Sequence, residues 1–200
     1  MDQQSNRKWS KFKWTKSNRE RIKKFKNSKS YCRSTQSKGT KEIIKKMFET
    51  KKGLREKTIL RLGKCLPSFL GCFAENELAS LKLQTFPCFL ITNIDTRNMK
   101  GSHWIGLGIF KDRVEVFDTL GFNVFNWSRV PCSLLNFLHR ITVSRSVFLS
   151  PCIQNSNSVL CGFYSLLYIQ ARQSLSFNEI VNLFSKDLAI NDEILMSLFA

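Results

Sequence analysis

Histidine is scarce in this chain, two residues in 200, and the scarcity removes whole classes of chemistry. A structural zinc site needs four Cys or His ligands, commonly with two of them closely spaced as CxxC. The seven cysteines, at 32, 65, 72, 88, 132, 152 and 161, contain no CxxC, and only two histidines exist to complete a set, which argues against structural zinc. Long apolar runs are missing as well. No stretch approaches the roughly 18 apolar residues of a membrane span. The opening MDQQSNRKWSKFKWTKSNRERIKKFKN is polar and cationic where a secretory signal has its apolar core. These absences point to a soluble, intracellular, non-secreted chain with no membrane partner, whose cysteines are mostly thiols buried as small hydrophobes. No internal repeat is visible.

Acidic residues are sparse in the first third. Residues 1–64 hold 22 Lys or Arg against five acids, which accounts for the whole net charge of +17, and residues 65–200 balance ten bases against ten acids. A length of 200 residues accommodates one domain, usually roughly 100 to 150 residues, with an appendage. Residues 1–38 carry too little apolar surface to offset the entropy of ordering the backbone and read as a flexible basic arm. Residues 39–63 read as a linking helical segment interrupted near Gly53, and a neutral folded domain follows over 64–200.

The arm interleaves cations with Trp9, Phe12, Trp14 and Phe25, a mixture suited to phosphates and stacked bases. Its candidate nucleic-acid contacts are Arg7, Lys8, Trp9, Lys11, Lys13, Trp14, Lys16, Arg19, Arg21, Lys23, Lys24 and Lys26. The plainer alternative is a solvated tail or a nuclear import signal. If the arm is an independent tether, deleting residues 1–38 abolishes salt-sensitive DNA binding and spares the folded domain.

Within that domain, runs rich in β-branched and aromatic residues predict strands at Cys88–Ile94, His103–Phe110 and Arg113–Asp118, the last two joined by a tight turn at Lys111–Asp112. Helical patterns cover Val130–Arg140, Cys161–Gln173, Ser176–Ser185 and Asn191–Phe199, the third opened by a capping box of Ser176 and Glu179. Strands in the middle with helices on either side predict an α+β domain.

Hydrolysis by a thiol requires a base, a group that orients the base, and donors for the developing oxyanion. Cys161 opens the apolar helical run CGFYSLLYIQA, where the helix dipole favours thiolate. Local sequence alone fits a buried core cysteine better. His103 starts a strand after the polar turn DTRNMKGS and reads equally as cleft or core, whereas His139 sits in a helical pattern as a structural or solvated residue. Asp118 ends the next strand, where a hairpin would bring it near His103; an ordinary turn-initiating Asp fits as well, with Glu115 as the alternative acid. Gln154 stands seven residues before Cys161, and in isolation carries no meaning.

Taken in chain order, these residues and the strings PSFLGCFAENEL (Pro67–Leu78), GSHWIGLGIF (Gly101–Phe110), VEVFDTLGF (Val114–Phe122) and QNSNSVLCGFY (Gln154–Tyr164) resemble the adenovirus protease family, adenain. The wider group includes the SUMO-specific proteases. The resemblance covers about residues 62–200. It implies a cysteine endopeptidase with an adenain or SUMO-protease-like fold: a mostly antiparallel sheet packed with helices, and the catalytic Cys at a helix N-terminus. Carried over, it makes Cys161 the nucleophile, His103 the general base, Asp118 the orienting acid and Gln154 the oxyanion donor. Trp104 and Gly162 become substrate-binding residues for small residues such as glycine. Asp118 follows the SUMO-type enzymes, since adenovirus enzymes carry Glu there. By the same resemblance, expected substrates are capsid or core precursors, in the nucleus or virion. No metal or organic cofactor is expected, although family enzymes are activated by a peptide and by DNA. The basic arm has no adenovirus counterpart and suits a relative of the Maverick or Polinton type, expected to act as a monomer. Removal of ubiquitin-like modifiers, and a non-enzymatic nucleic-acid-binding protein that kept the fold, are the competing readings.

Overall fold

The computed structural model describes residues 15–26, 52–125, 128 and 130–199. One five-stranded sheet organises them into a mixed α+β fold. Strands β1 (Phe69–Phe73), β2 (Cys88–Asn93), β3 (Trp104–Ile109), β4 (Arg113–Phe117) and β5 (Ser146–Leu149) lie side by side in chain order. The helices are α1 (Lys16–Lys26), α2 (Glu56–Gly63), α3 (Cys132–Thr142), α4 (Cys161–Ala171), α5 (Phe177–Val181) and α6 (Asn191–Phe199). The central pairings β2–β3 and β3–β4 are antiparallel, but both outer pairings are parallel, so the sheet is less antiparallel than expected. Each outer pair encloses a helical crossover, the 3-10 segment Glu75–Ser80 or α3, and a parallel pair needs such a crossover.

Alternation along the strands sends side chains into two cores. Leu90, Ile105, Leu107, Ile109, Val114 and Val116 face α3, which answers with Leu134, Phe137, Leu138 and Ile141 at helical spacing. On the opposite face Phe89, Ile91 and Phe117 meet α4, α5 and α6. Every residue of α4 is buried, as a helix apolar all round must be. It sits on the glycine face of β3: a Cβ on Gly106 would stand 3.0 Å from Tyr168 Cδ1, and one on Gly108 would collide with the Tyr168 hydroxyl. Phe117 stacks on Tyr168 with ring centroids 4.7 Å apart.

Residues 16–26 depart from the flexible arm expected. They form α1, which seals Phe25 into the α4 side of the core with Ile22 packed against it. Arg21 Nη1 donates to the Asn182 carbonyl at 3.4 Å, Lys24 Nζ pairs with Glu179 Oε1 at 3.3 Å, and Lys26 Nζ donates to the Ser197 carbonyl at 3.4 Å. Two apolar residues three apart suffice once a preformed surface receives them. Arg7, Lys8, Trp9, Lys11, Lys13 and Trp14, and the helical pattern before residue 52, lie outside the described residues. Cys65 is disulfide-bonded, unlike the thiols expected, whereas Cys72, Cys88, Cys132, Cys152 and Cys161 are free. Among the described residues no helix is long and apolar enough to cross a membrane.

Candidate active site

The β3–β4 hairpin brings two polar residues together at one end of the sheet. His103 immediately precedes β3 and Asp118 immediately follows β4, and both are almost fully buried. His103 Nε2 stands 2.7 Å from Asp118 Oδ1, which also accepts from the Leu120 backbone N–H at 3.0 Å. Among the described residues the buried Asp118 Oδ2 has no hydrogen-bond partner, so the imidazole and the Leu120 N–H are the groups that answer this carboxylate. Cys161 lines the same cleft as His103 and acts on the imidazole electrostatically. Burial alone would pull the His103 pKa down; Asp118 and the Cys161 sulfur outweigh it and raise the value from 6.5 to about 9. The imidazole therefore holds a proton at neutral pH.

Cys161 is the first residue of α4, at the end of the helix where backbone N–H groups lack intrahelical partners. Burial pushes the Cys88 thiol up to about 11 and the Cys72 thiol higher still. Gln154 is 2% exposed, and both ends of its amide are tied. Thr119 Oγ1 donates to Gln154 Oε1 at 2.5 Å, and Gln154 Nε2 donates to the Ser158 carbonyl at 2.7 Å, which leaves one N–H uncommitted. Sequence reading missed Thr119 and Ser158, which carry no signal until the fold brings them to the amide.

These groups open on a cleft of about 830 Å³ lined by His103, Trp104, Gln154 and Cys161. Its opposing walls come from residues 53–56, from Asn93 to Ser102 in part, and from Ser156, Ser158 and Val159. The Trp104 indole is fixed by donation from Nε1 to the Leu54 carbonyl at 2.9 Å. Arg97 ties the walls by pairing with Glu56 and Glu77, each at 2.6 Å.

Two expectations change here, for Gly162 and Glu115, and His139 lies where a structural or solvated residue would. Gly162 does not line this cleft: it is buried under Leu54, Trp104 and Ile59, where a Cβ would meet atoms at 3.0, 3.2 and 3.3 Å, so it is a packing glycine. Glu115 cannot serve as the alternative acid. Arg172 grips it at 2.7 and 3.0 Å, Arg113 Nε at 3.1 Å and the Tyr168 hydroxyl at 2.8 Å, on the far side of the hairpin register from His103. His139 lies in α3 with its ring 5.8 Å from Phe125, away from the cleft.

No family model matches the chain, and no curated protein matches it. Among solved structures it is similar to the SUMO protease Ulp1 with its catalytic cysteine oxidised to a sulfinic acid, at 15% identity and a TM-score of 0.41 over 94% of this chain and 96% of that one.

Proposed function

We propose that the chain is a cysteine peptidase with Cys161 as nucleophile, His103 as its proton partner, Asp118 as the orienting acid and Gln154 as an oxyanion donor. The observation that carries this reading is His103 bound to the Asp118 carboxylate at 2.7 Å in a cleft it shares with Cys161, buried and yet with its pKa raised to about 9. The Cys161 thiolate attacks the scissile carbonyl carbon; a C–S bond forms and the carbonyl π pair moves to oxygen. The second Gln154 N–H and the Cys161 backbone N–H, both from cleft-lining residues, are the donors this reading assigns to that charge. As the oxyanion collapses, the C–N bond breaks and the amine leaves with the proton from His103. Water then attacks the thioester and gives its proton to His103, and the sulfur departs as thiolate.

A narrow passage favours small residues beside the scissile bond. A Cβ on Gly53 would come 3.1 Å from the Val159 carbonyl, with the Trp104 indole pinned alongside. Glycine-containing precursors of capsid or core type are the substrates assigned, with a SUMO-type fusion as the alternative.

A second reading rests on α1. One of its faces is docked, and Lys16, Arg19 and Lys23 are exposed on it, which supports nucleic acid as the partner of the basic segment. The peptidase reading is tested by iodoacetamide labelling of the free thiols Cys72, Cys88, Cys132, Cys152 and Cys161 near neutral pH, together with cleavage assays of a glycine-containing precursor peptide and a SUMO-type fusion. Cys161 should label fastest, and Cys161→Ala and His103→Ala should each abolish cleavage. Equal labelling of Cys161 and the exposed Cys132 and Cys152, with no cleavage of either substrate, overturns it and favours the non-enzymatic binding protein.

A further inference from the structure

The segment that carries Gln154 and runs into Cys161 is held from two sides. From the sheet side the Ile153 and Gln154 backbone N–H groups both donate to the Thr119 carbonyl at 2.9 Å, and Ser150 Oγ donates to the Asp118 carbonyl at 2.6 Å. From the other side the hold comes from the first two residues of the C-terminal helix α6. Asn191, completely buried, donates from Nδ2 to the Ile153 carbonyl at 2.7 Å and to the Ser185 carbonyl at 2.9 Å, and accepts from the Ser185 N–H at 2.8 Å. Asp192 Oδ1 accepts from Ser158 Oγ and from the Tyr164 hydroxyl, both at 3.0 Å. Ser158 is the residue whose carbonyl receives the Gln154 amide, and its Oγ also accepts from the Leu160 N–H at 3.3 Å, one residue before the nucleophile.

We propose that Asp192 is a positioning residue for the oxyanion donor: acting through Ser158, with Asn191 anchoring the same loop at Ile153, it fixes the Gln154 amide so that its second N–H faces the cleft. This rests on the peptidase reading above. The physical basis is geometric. Gln154 has three side-chain torsions, and an amide that donates to a developing charge is effective only when already aimed. Thr119 alone fixes the oxygen end and leaves the amide free to swing about that bond. The Ser158 carbonyl fixes the nitrogen end, and Ser158 stays in place because its hydroxyl is held by a carboxylate on a different element. Tyr164, one turn into α4, shares that carboxylate, so the loop is referenced to the helix that carries the thiol.

The experiment compares two readouts at Cys161 in the full chain. A peptide aldehyde ending in glycinal adds to the thiolate; a C–S bond forms and the carbonyl electrons move to an oxygen in the hole, so its affinity reports the oxyanion donors. Iodoacetamide alkylation has no such oxygen and reports only the thiolate. Asp192→Ala should weaken aldehyde binding and lower kcat by roughly 10- to 100-fold, as expected for a misaimed donor, with KM and the alkylation rate unchanged. Asp192→Asn keeps an oxygen for both hydroxyls and should restore the wild-type values. In a Gln154→Ala background, Asp192→Ala should cause no further loss of aldehyde affinity. The proposal is overturned if aldehyde affinity and alkylation fall together, if neither changes, if Asp192→Asn fails to rescue, or if the losses add in the double variant. A wild-type chain with neither rapid alkylation nor cleavage would instead remove the peptidase reading, and this proposal with it.

Discussion

With its pKa near 9, His103 stays protonated across neutral pH, and the activity of this site should end where that proton is lost. The alkaline limb of kcat/KM is therefore expected near pH 9. Asp118 is the strongest upward pull on the imidazole, so Asp118→Asn should move that limb to lower pH and reduce kcat/KM by roughly 10²- to 10⁴-fold. A pH–rate profile of both proteins checks this. Linkage has the same direction: a folded pKa raised above 6.5 stabilises the protein fully below that pH, and the contribution disappears as pH rises through 9. Glu115 makes a contrasting prediction. Glu115→Ala leaves the Arg172 guanidinium unpaired at a side-chain exposure of 10% and should cost about 3–5 kcal/mol in urea unfolding, while Cys161 alkylation in the folded protein stays fast. At this scale the sequence was informative where chemistry coincides with an unusual position, as with His103 and Asp118 at two strand ends. It was silent on Thr119, Ser158 and Asp192, because a hydroxyl or carboxylate in a polar loop has no role until an element distant in the chain arrives beside it.

Among the elements, α1 changes how the basic segment must be tested. A deletion of residues 1–38 also removes Phe25 from the core, so it should destabilise the domain as well as lower nucleic-acid affinity. Phe25→Ala should cost about 3 kcal/mol, measured by the urea midpoint. Replacing Lys16 and Lys23 with Gln spares Ile22 and Phe25 on the docked face. It should reduce the slope of log K against log salt by about 1 for each phosphate no longer neutralised, with thermal stability retained. The central strands and α4 were legible from sequence because they are apolar runs bounded by polar turns. β1 and β5 were not. β1 is five residues interrupted by Gly71 with a register shift, and β5 is four largely exposed residues, so neither shows the alternation of a half-buried strand. Helix α5 stops at Val181, short of the pattern running to Ser185, because Asn182 leaves helical geometry and the next residues turn toward the Asn191 side chain.

For the whole molecule, the decisive relation is between two residues 58 apart in the chain, one at the head of β3 and one at the head of α4. Sequence order could supply the pair but not the spacing between them, which depends on how far the helix stands off the sheet. That stand-off is set by Gly106 and Gly108, two positions with no side chain and no place in the cleft. A single added methyl there acts as a shim. Gly108→Ala would drive a methyl into the Tyr168 hydroxyl, and if α4 shifts to relieve it, the peptidase reading expects loss of cleavage while every residue of the candidate site remains. A folded, substrate-binding and inert protein is the outcome to look for, and it would make these glycines the ruler by which the two halves of the site are measured.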